Sequence, residues 1–270
     1  MGKLLSLNAP KRRDFGYVCV ACGFKCSDVS MVCEGCGECE TMCCDEDVLT
    51  TQQTEVTYRR PQKASEIQTP DWNYWSTGFD GWNSAIGGGL VRPSTVLVHG
   101  PKGSGKSRYL SSIAVNVAIQ MRGKALYGSA EMPKEMVRKY LDQEGFTKAQ
   151  LEALYILDDE SCEGFLEAIR ILRPVVVVWD SVQCFTVDGE VGELSLRHVV
   201  KEAKKATKKH NLISLLVSQV TKENEFLGPS EFGHGVDCIV EVSRDDDFFY
   251  VNVPEKNRFA KTPGSGKVEL

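Results

Sequence analysis

The 270-residue chain is long enough for one sizeable core with a small appendage and too short for two large domains. A formal net charge of −5 excludes a bulk basic field, so any contact with nucleic acid must come from local patches or from loops brought together by assembly. No apolar stretch approaches membrane-spanning length and the first residues lack the apolar run of a secretory signal, which places the chain in the cytoplasm with no membrane partner.

Eight of the eleven cysteines fall between Cys19 and Cys44, and this clustering sets off a first module at residues 1–45. Without a secretion signal, dense cysteines read as metal ligands rather than disulfides. Cys19-x₂-Cys22 and Cys33-x₂-Cys36 each carry a glycine next, Gly23 and Gly37, and ten residues separate the pairs. Glycine at that place permits the tight turn by which successive thiolates meet one ion, so Cys19, Cys22, Cys33 and Cys36 form a closed structural Zn²⁺ site, a small zinc ribbon. So short a segment cannot bury enough apolar surface to fold alone, and metal binding should be coupled to its folding. Cys26, Cys39, Cys43 and Cys44 are free thiols or, alternatively, serve a second metal or a redox role. Cys162, Cys184 and Cys238, scattered through apolar surroundings, read as buried, inert thiols.

Residues 46–75 are polar, with Thr51-Gln52-Gln53-Thr54 and Arg60-Pro61-Gln62-Lys63, and read as a linker. Trp72, Tyr74 and Trp75 at its end supply docking area on the main domain, with base stacking as the alternative.

From residue 76 to 270 the pattern is that of an α/β core. The apolar run Val96-Leu97-Val98 leads into Gly100-Pro101-Lys102-Gly103-Ser104-Gly105-Lys106-Ser107, which fits G-x-x-x-x-G-K-[ST] between a strand and a helix. The glycines let backbone N–H groups wrap phosphates, with Arg108 just beyond them; Lys106 brings a charge to the β- and γ-phosphates of ATP, and the Ser107 hydroxyl is placed to ligate Mg²⁺. Leu110, Ile113, Ala114, Val117, Ala118 and Met121 recur at helical spacing, and Gly123 stands where a left-handed cap is wanted.

Apolar runs at 125–127, 154–157, 175–179 and 212–217, separated by helical segments, predict a mostly parallel sheet covered on both faces. Glu131 follows the first of these and either orients and deprotonates an attacking water or caps the helix that begins near Pro133. Asp180 ends the third, beside the phosphate loop, and holds the Mg²⁺ ion directly or through water. The runs 238–242 and 248–253, separated by Asp245-Asp246-Asp247, predict an antiparallel hairpin. Two Gly-containing segments, Gln183 to Leu196 and Thr221 to Gly235, are long enough to be mobile loops lining a pore; the first is acidic, and Lys222 in the second is the candidate DNA-phosphate contact. Lys201, Lys204, Lys205 and Lys208 share one helical face, either its solvated side or a DNA footprint.

Several of these segments together resemble the RadA/Sms family of DNA-recombination ATPases. The likeness rests on Tyr17-Val18-Cys19, Ser76-Thr77-Gly78-Phe79-Asp80, Gly87-Gly88-Gly89-Leu90-Val91, Leu126-Tyr127-Gly128-Ser129-Ala130-Glu131, Val220-Thr221-Lys222-Glu223 through Gly228-Pro229, and Lys256-Asn257-Arg258-Phe259, the start of the family's signature pentapeptide. It implies a RecA-like fold and a homo-hexameric ring that binds single-stranded or branched DNA. It further implies ATP-driven helicase or branch-migration activity in homologous recombination and DNA repair, alongside a recombinase or replication protein. Lys256 and Arg258, after the final strand of the hairpin, then act across a subunit boundary on a neighbour's nucleotide. Ala260 replaces the glycine that ends the signature. Gln219 stands where RadA/Sms proteins usually have histidine and where RecA has its γ-phosphate-sensing glutamine. The chain stops soon after the signature, so the resemblance implies a short form without the family's Lon-protease-like C-terminal domain. A nucleotide-switched DNA loader with little turnover and a phosphate-loop kinase are the rival readings.

Overall fold

The computed structural model describes residues 17–19, 21–26, 32–37, 42–44, 63–67, 73–219, 235–260 and 264–269. The chain divides into two compact units, Met1–Thr69 and Pro70–Leu270. In the first, β1 (Tyr17–Cys19) pairs antiparallel with both β2 (Lys25–Cys26) and β3 (Met42–Cys44). A 3₁₀ turn, Ala64–Glu66, lies further along the described part of this unit.

The second unit begins with β4 (Tyr74–Trp75), paired antiparallel with β5 (Leu90–Val91) around α1 (Asp80–Ile86). Trp75 packs against the main core and the Tyr74 hydroxyl donates to the Phe259 carbonyl at 3.0 Å. The remaining elements, in chain order, are β6 (Ser94–Gly100), α2 (Lys106–Gln120), β7 (Ala125–Ser129), α3 (Lys134–Gln143), α4 (Lys148–Ala153), β8 (Leu154–Leu157), α5 (Cys162–Leu172), β9 (Val176–Asp180), α6 (Glu193–His210), β10 (Ile213–Gln219), β11 (Cys238–Arg244), β12 (Phe248–Asn252) and β13 (Ser265–Glu269).

One eight-stranded sheet in the order β13-β12-β11-β6-β10-β9-β7-β8 organises them. Pairing is parallel from β11 through β8 and antiparallel from β11 to β12 and from β12 to β13. The α/β class with a mostly parallel sheet and the antiparallel hairpin are as the sequence leads one to expect; β13, which extends the hairpin, was not foreseen. Its run Ser265-Gly266-Lys267-Val268-Glu269 has a single apolar residue, so no apolar pattern marks it.

Strand side chains alternate between faces, and two clusters record it. Val96, Val98, Tyr127, Val178, Leu215 and Val217 pack beneath α1, α2 and α3, while Leu97, Leu126, Val177, Trp179 and Leu216 pack beneath α5 and α6. Phe165 of α5 meets Trp179 edge to face at 4.5 Å, and Phe185 closes the group at 5.2 Å from Trp179. All three are fully buried. Each such side chain contributes about 1.5–3 kcal/mol from burial alone.

Helix ends depart from expectation at one place. The left-handed residue closing α2 is Arg122 (φ 50°), not Gly123. Arg122 N–H bonds to Ile119 O and Gly123 N–H to Ala118 O, the paired closure of a Schellman motif. Gly123 is needed for another reason, since a Cβ there would lie 2.5 Å from the Val175 side chain. The segment following β9 also differs from a freely mobile loop. Val182 and Phe185 are buried, Thr186 N–H bonds to Glu160 O, and Leu196 already belongs to α6, so the exposed stretch shortens to residues 188–194. On α6, Lys201, Lys205 and Lys208 are exposed, and Lys205 pairs with Glu202 at 2.5 Å.

Gly128 faces Phe165, and a Cβ at that position would come within 2.6 Å of the ring. Because that ring is wedged between Trp179 and Phe185, it has nowhere to yield. Gly128→Ala should therefore lower stability by about 1–3 kcal/mol, read as a lower urea midpoint at unchanged slope.

Candidate active site

Parallel strands deliver their carboxyl ends to one edge of the sheet, and that edge holds Lys106, Ser107, Glu131, Asp180 and Gln219. In register, Gly100 at the end of β6 faces Gln219 at the end of β10, and Ser129 of β7 faces Asp180 of β9. The loop leaving β6 turns through Gly103 (φ 78°) and Gly105 (φ 88°), a backbone region that side chains rarely adopt. Gly105 caps α2, so the first backbone N–H groups of that helix open onto a cleft of about 590 Å³, a size suited to a nucleotide. Lys102, Gly103, Gly105, Lys106, Ser107 and Arg108 line it, together with Glu131, Asp180 and Gln219. Gly100 and Pro101 contribute otherwise: their carbonyls accept hydrogen bonds from Lys106 Nζ, each at 2.7 Å, and Ser104 Oγ lies 3.5 Å from the same nitrogen. Arg108 Nε pairs with Glu144 at 2.5 Å across the mouth of the cleft.

Burial governs the charges. Lys106 is buried, which pulls its ammonium below the usual lysine range, opposed by the nearby carboxylates of Asp180 and Glu131. Asp180 is also buried, which raises its carboxyl above the usual carboxylate range against the lowering effect of hydrogen bonds from Ser107 and Tyr127. Tyr127, wholly buried, donates its hydroxyl to Asp180 Oδ2 and is held well above the ordinary tyrosine range, first by desolvation and then by that carboxylate. The Ser107 hydroxyl and the Asp180 carboxylate thus meet, and a hydroxyl beside a carboxylate is a donor set suited to Mg²⁺.

Glu131 does not cap a helix, since Pro133 is the N-cap of α3. Its Oε1 instead accepts from Gln219 Nε2 at 2.6 Å, Ser181 Oγ at 3.1 Å and Cys184 Sγ at 3.2 Å. Cys162 and Cys238 are buried thiols, each pushed up to about 12 chiefly by desolvation, as their apolar surroundings suggest. Cys184 is the exception: it is half-buried and sits at the site. Tyr127, Ser181, Cys184 and Glu144 are the neighbours that sequence reasoning missed. Ser181 and Cys184 could have been suspected from their place directly after the Asp180 strand.

Lys256 and Arg258 do not line the cleft of their own chain. Arg258 Nη1 pairs with Asp237 Oδ1 at 2.9 Å and its N–H bonds to Asp237 O at 3.0 Å. Burial and the neighbouring Arg258 hold Lys256 below the usual lysine range. Ala260 takes no left-handed conformation, and its methyl fills the space above Gly87, where a Cβ would lie 2.4 Å away. Trp72, Cys39, Lys222 and most of 221–235 lie outside the described residues.

In the first unit, the four sulfurs of Cys19, Cys22, Cys33 and Cys36 lie within 4.8 Å of one another. Gly23 N–H bonds to Cys19 O and Gly37 N–H to Cys33 O, both at 2.8 Å, with the two glycines at φ 75° and 74°. The chain thus makes the same knuckle twice. Cys19–Cys36 and Cys22–Cys33 sulfur separations are 3.7 Å, and the edge of a tetrahedron with zinc–thiolate bonds of about 2.3 Å is about 3.8 Å. The cluster fits a four-thiolate zinc module.

Residues 62–225, more than half of the chain, match the AAA domain family, and the chain belongs to that family of P-loop ATPases. It is 29% identical over 256 residues to the DNA repair protein RadA of Aquifex aeolicus, covering 91% of this chain and 55% of that protein. Against the Bacillus subtilis DNA repair protein RadA the identity is 28% over 272 residues, covering 94% and 57%. It is thus homologous to RadA over most of its own length and spans about half the length of these curated relatives. A KaiC-like protein from Pyrococcus horikoshii OT3 shares the fold with a TM-score of 0.60 at 17% identity, covering 74% of this chain and 100% of that one. No helix among the described residues is long and apolar enough to cross a membrane.

Removing the Tyr127 hydroxyl leaves the buried Asp180 carboxylate short of a donor. Tyr127→Phe should cost about 1–3 kcal/mol in urea unfolding, while a surface control, Tyr155→Phe, should cost nothing measurable.

Proposed function

We propose that this AAA-family chain is a DNA-dependent ATPase of RadA/Sms type, acting in homologous recombination and DNA repair as a homo-hexameric ring that translocates on single-stranded or branched DNA. The observation that carries the enzymatic part is the edge where Lys106, Ser107, Asp180 and Glu131 converge, with Gln219 hydrogen-bonded to Glu131. Backbone N–H groups from Gly103 to Ser107 and the Lys106 ammonium bind the phosphates of ATP. Mg²⁺, held by Ser107 and by Asp180 directly or through water, would neutralise charge on the β- and γ-phosphate oxygens. Glu131 takes the proton of a water as that water attacks the γ-phosphorus; the bond to the β,γ-bridging oxygen breaks and its electron pair stays with ADP. Gln219, bonded both to the base and to the strand beside the phosphate loop, senses the γ-phosphate.

The ring supplies what one chain lacks. Lys256 and Arg258 lie away from their own cleft, and in a heterologous ring interface they would reach the neighbour's nucleotide. DNA and hexameric assembly come to this reading from the RadA relationship, with Lys222 as the DNA contact, and a recombinase or replication protein as partner. The Cys19–Cys22–Cys33–Cys36 module holds structural Zn²⁺. The same reading sets the chain in the cytoplasm.

Steady-state phosphate release from ATP and Mg²⁺, with and without single-stranded DNA, tests the central claim. DNA should stimulate turnover; Lys106→Ala should abolish it, and Arg258→Ala should bind ATP but hydrolyse it at least tenfold more slowly. Turnover indifferent to DNA would overturn the motor reading in favour of a nucleotide-gated loader. Separately, the purified chain should carry one zinc per polypeptide by atomic absorption, and Cys22→Ser or Cys36→Ser should lose it.

A further inference from the structure

We infer that Cys184 is a positioning residue for Glu131: its thiol donates to Glu131 Oε1 and, together with Ser181 and Gln219, holds that oxygen so that the other, Oε2, is left to take the proton of the attacking water. The inference rests on the reading of Glu131 as general base.

Three donors reach one oxygen. Gln219 Nε2 approaches Oε1 at 2.6 Å, Ser181 Oγ at 3.1 Å and Cys184 Sγ at 3.2 Å, each within reach for its type. An ionised carboxylate only accepts, so any of the three that bonds to it does so as the donor. Ser181 Oγ also lies 3.3 Å from Cys184 Sγ, which lets the hydroxyl proton point either to the carboxylate or to sulfur. Where the hydroxyl donates to sulfur, as the Ser181–Cys184 geometry has it, the thiol proton is directed to Glu131. Burial raises the Cys184 thiol above its ordinary range, and so does its bond to Glu131, so the group is protonated and able to donate.

The thiol is also rigidly mounted. Cys184 N–H bonds to Ser181 O at 2.9 Å, closing a turn directly after β9, and Val182 N–H bonds to Val217 O of β10. Val182 within this turn and Phe185 directly after it are buried in the core. A side chain anchored in this way restrains the carboxylate it touches, whereas Cys162 and Cys238 are buried thiols that serve as packing residues.

The test is single-turnover phosphate release at saturating ATP and Mg²⁺ for the full chain and for Cys184→Ala, Cys184→Ser, Glu131→Gln and the Glu131→Gln/Cys184→Ala double variant. Equilibrium ATP binding and thermal unfolding are measured alongside. Cys184→Ala should slow hydrolysis by about 2- to 12-fold, the rate equivalent of one hydrogen bond, with ATP affinity unchanged within about twofold. Cys184→Ser, which restores a donor, should recover most of the rate. In the Glu131→Gln background the alanine change should have no further effect, because Cys184 acts only through that carboxylate. A wild-type rate in Cys184→Ala, no recovery in Cys184→Ser, or the same loss in both backgrounds would overturn the inference. Wild-type hydrolysis by Glu131→Gln alone would instead overturn the assignment of the base, an outcome visible before Cys184 is considered.

Discussion

Parallel pairing of β6, β10, β9 and β7 is the constraint from which the site follows. Parallel strands end at the same edge, so the loops that leave them open onto common ground. The register then decides which side chains arrive: Gln219 beside Gly100, and Asp180 beside Ser129. A slip of one residue would exchange the two faces of a strand, and packing on both sides forbids it. Val178 is committed to one cluster and Trp179 to the other, so the place of Asp180, next in line, is set by hydrophobic burial of the strand, and the Tyr127 and Ser107 hydroxyls then hold its carboxylate. The chemistry is placed by the core.

A second consequence of that edge is that opposite charges are buried together. Desolvation pushes Asp180 up and Lys106 down, and each counters the shift of the other. Tyr127 and Ser107 add hydrogen bonds that favour the charged carboxylate. A buried charge without such partners would neutralise, and a neutral Asp180 would be a poor ligand for a cation. Beneath the first turn of α2, Tyr109 stacks on Phe249 at 4.1 Å and Phe79 meets Tyr109 edge-on at 5.3 Å, so the phosphate loop rests on a packed aromatic floor. Such a floor preorganises the loop, and preorganised donors cost nothing to align at the moment of reaction.

What was legible in the sequence was what spacing and alternation encode. The G-x-x-x-x-G-K-S loop, the run ending in Asp180 and the two Cys-x₂-Cys-Gly knuckles each name their geometry through local backbone demands, and the structure has those geometries. Contacts between distant segments were not legible. Nothing in the neighbourhood of Cys184 announces Glu131, 53 residues away, and its apolar flanks, Val182 and Phe185, suggest an inert thiol. The closure of α2 misled for a related reason: Gly123 looked like the left-handed residue, but its lack of a side chain answers to Val175 across the fold, and Arg122 adopts the positive φ. β13 was invisible because a strand over α1 at the end of the sheet needs no alternating pattern to be held. Gly81 and Gly266 permit the close backbone approach there, since a Cβ at Gly266 would strike the Gly81 carbonyl at 1.9 Å.

The segment carrying Lys256 and Arg258 gains its meaning from what it is tied to. Asp237 accepts from Arg258 through both its carbonyl and Oδ1, while its Oδ2 accepts from Thr95 N–H at 3.0 Å and its own N–H bonds to Thr95 O at 2.8 Å. Thr95 belongs to β6, the strand that runs into the phosphate loop. Ile239 N–H bonds to Lys256 O, and Ala260 fills the space over Gly87, so the basic pair is clamped at both ends. Within the proposed ring, the cations offered to one nucleotide are therefore mounted on the strand that cradles the next. A shift of β6 on ATP binding or hydrolysis would move Asp237, and with it Arg258, through these hydrogen bonds. Neighbouring sites would then be coupled through packed backbone and one carboxylate, the kind of short, stiff connection that lets a small displacement at one interface be felt at the next.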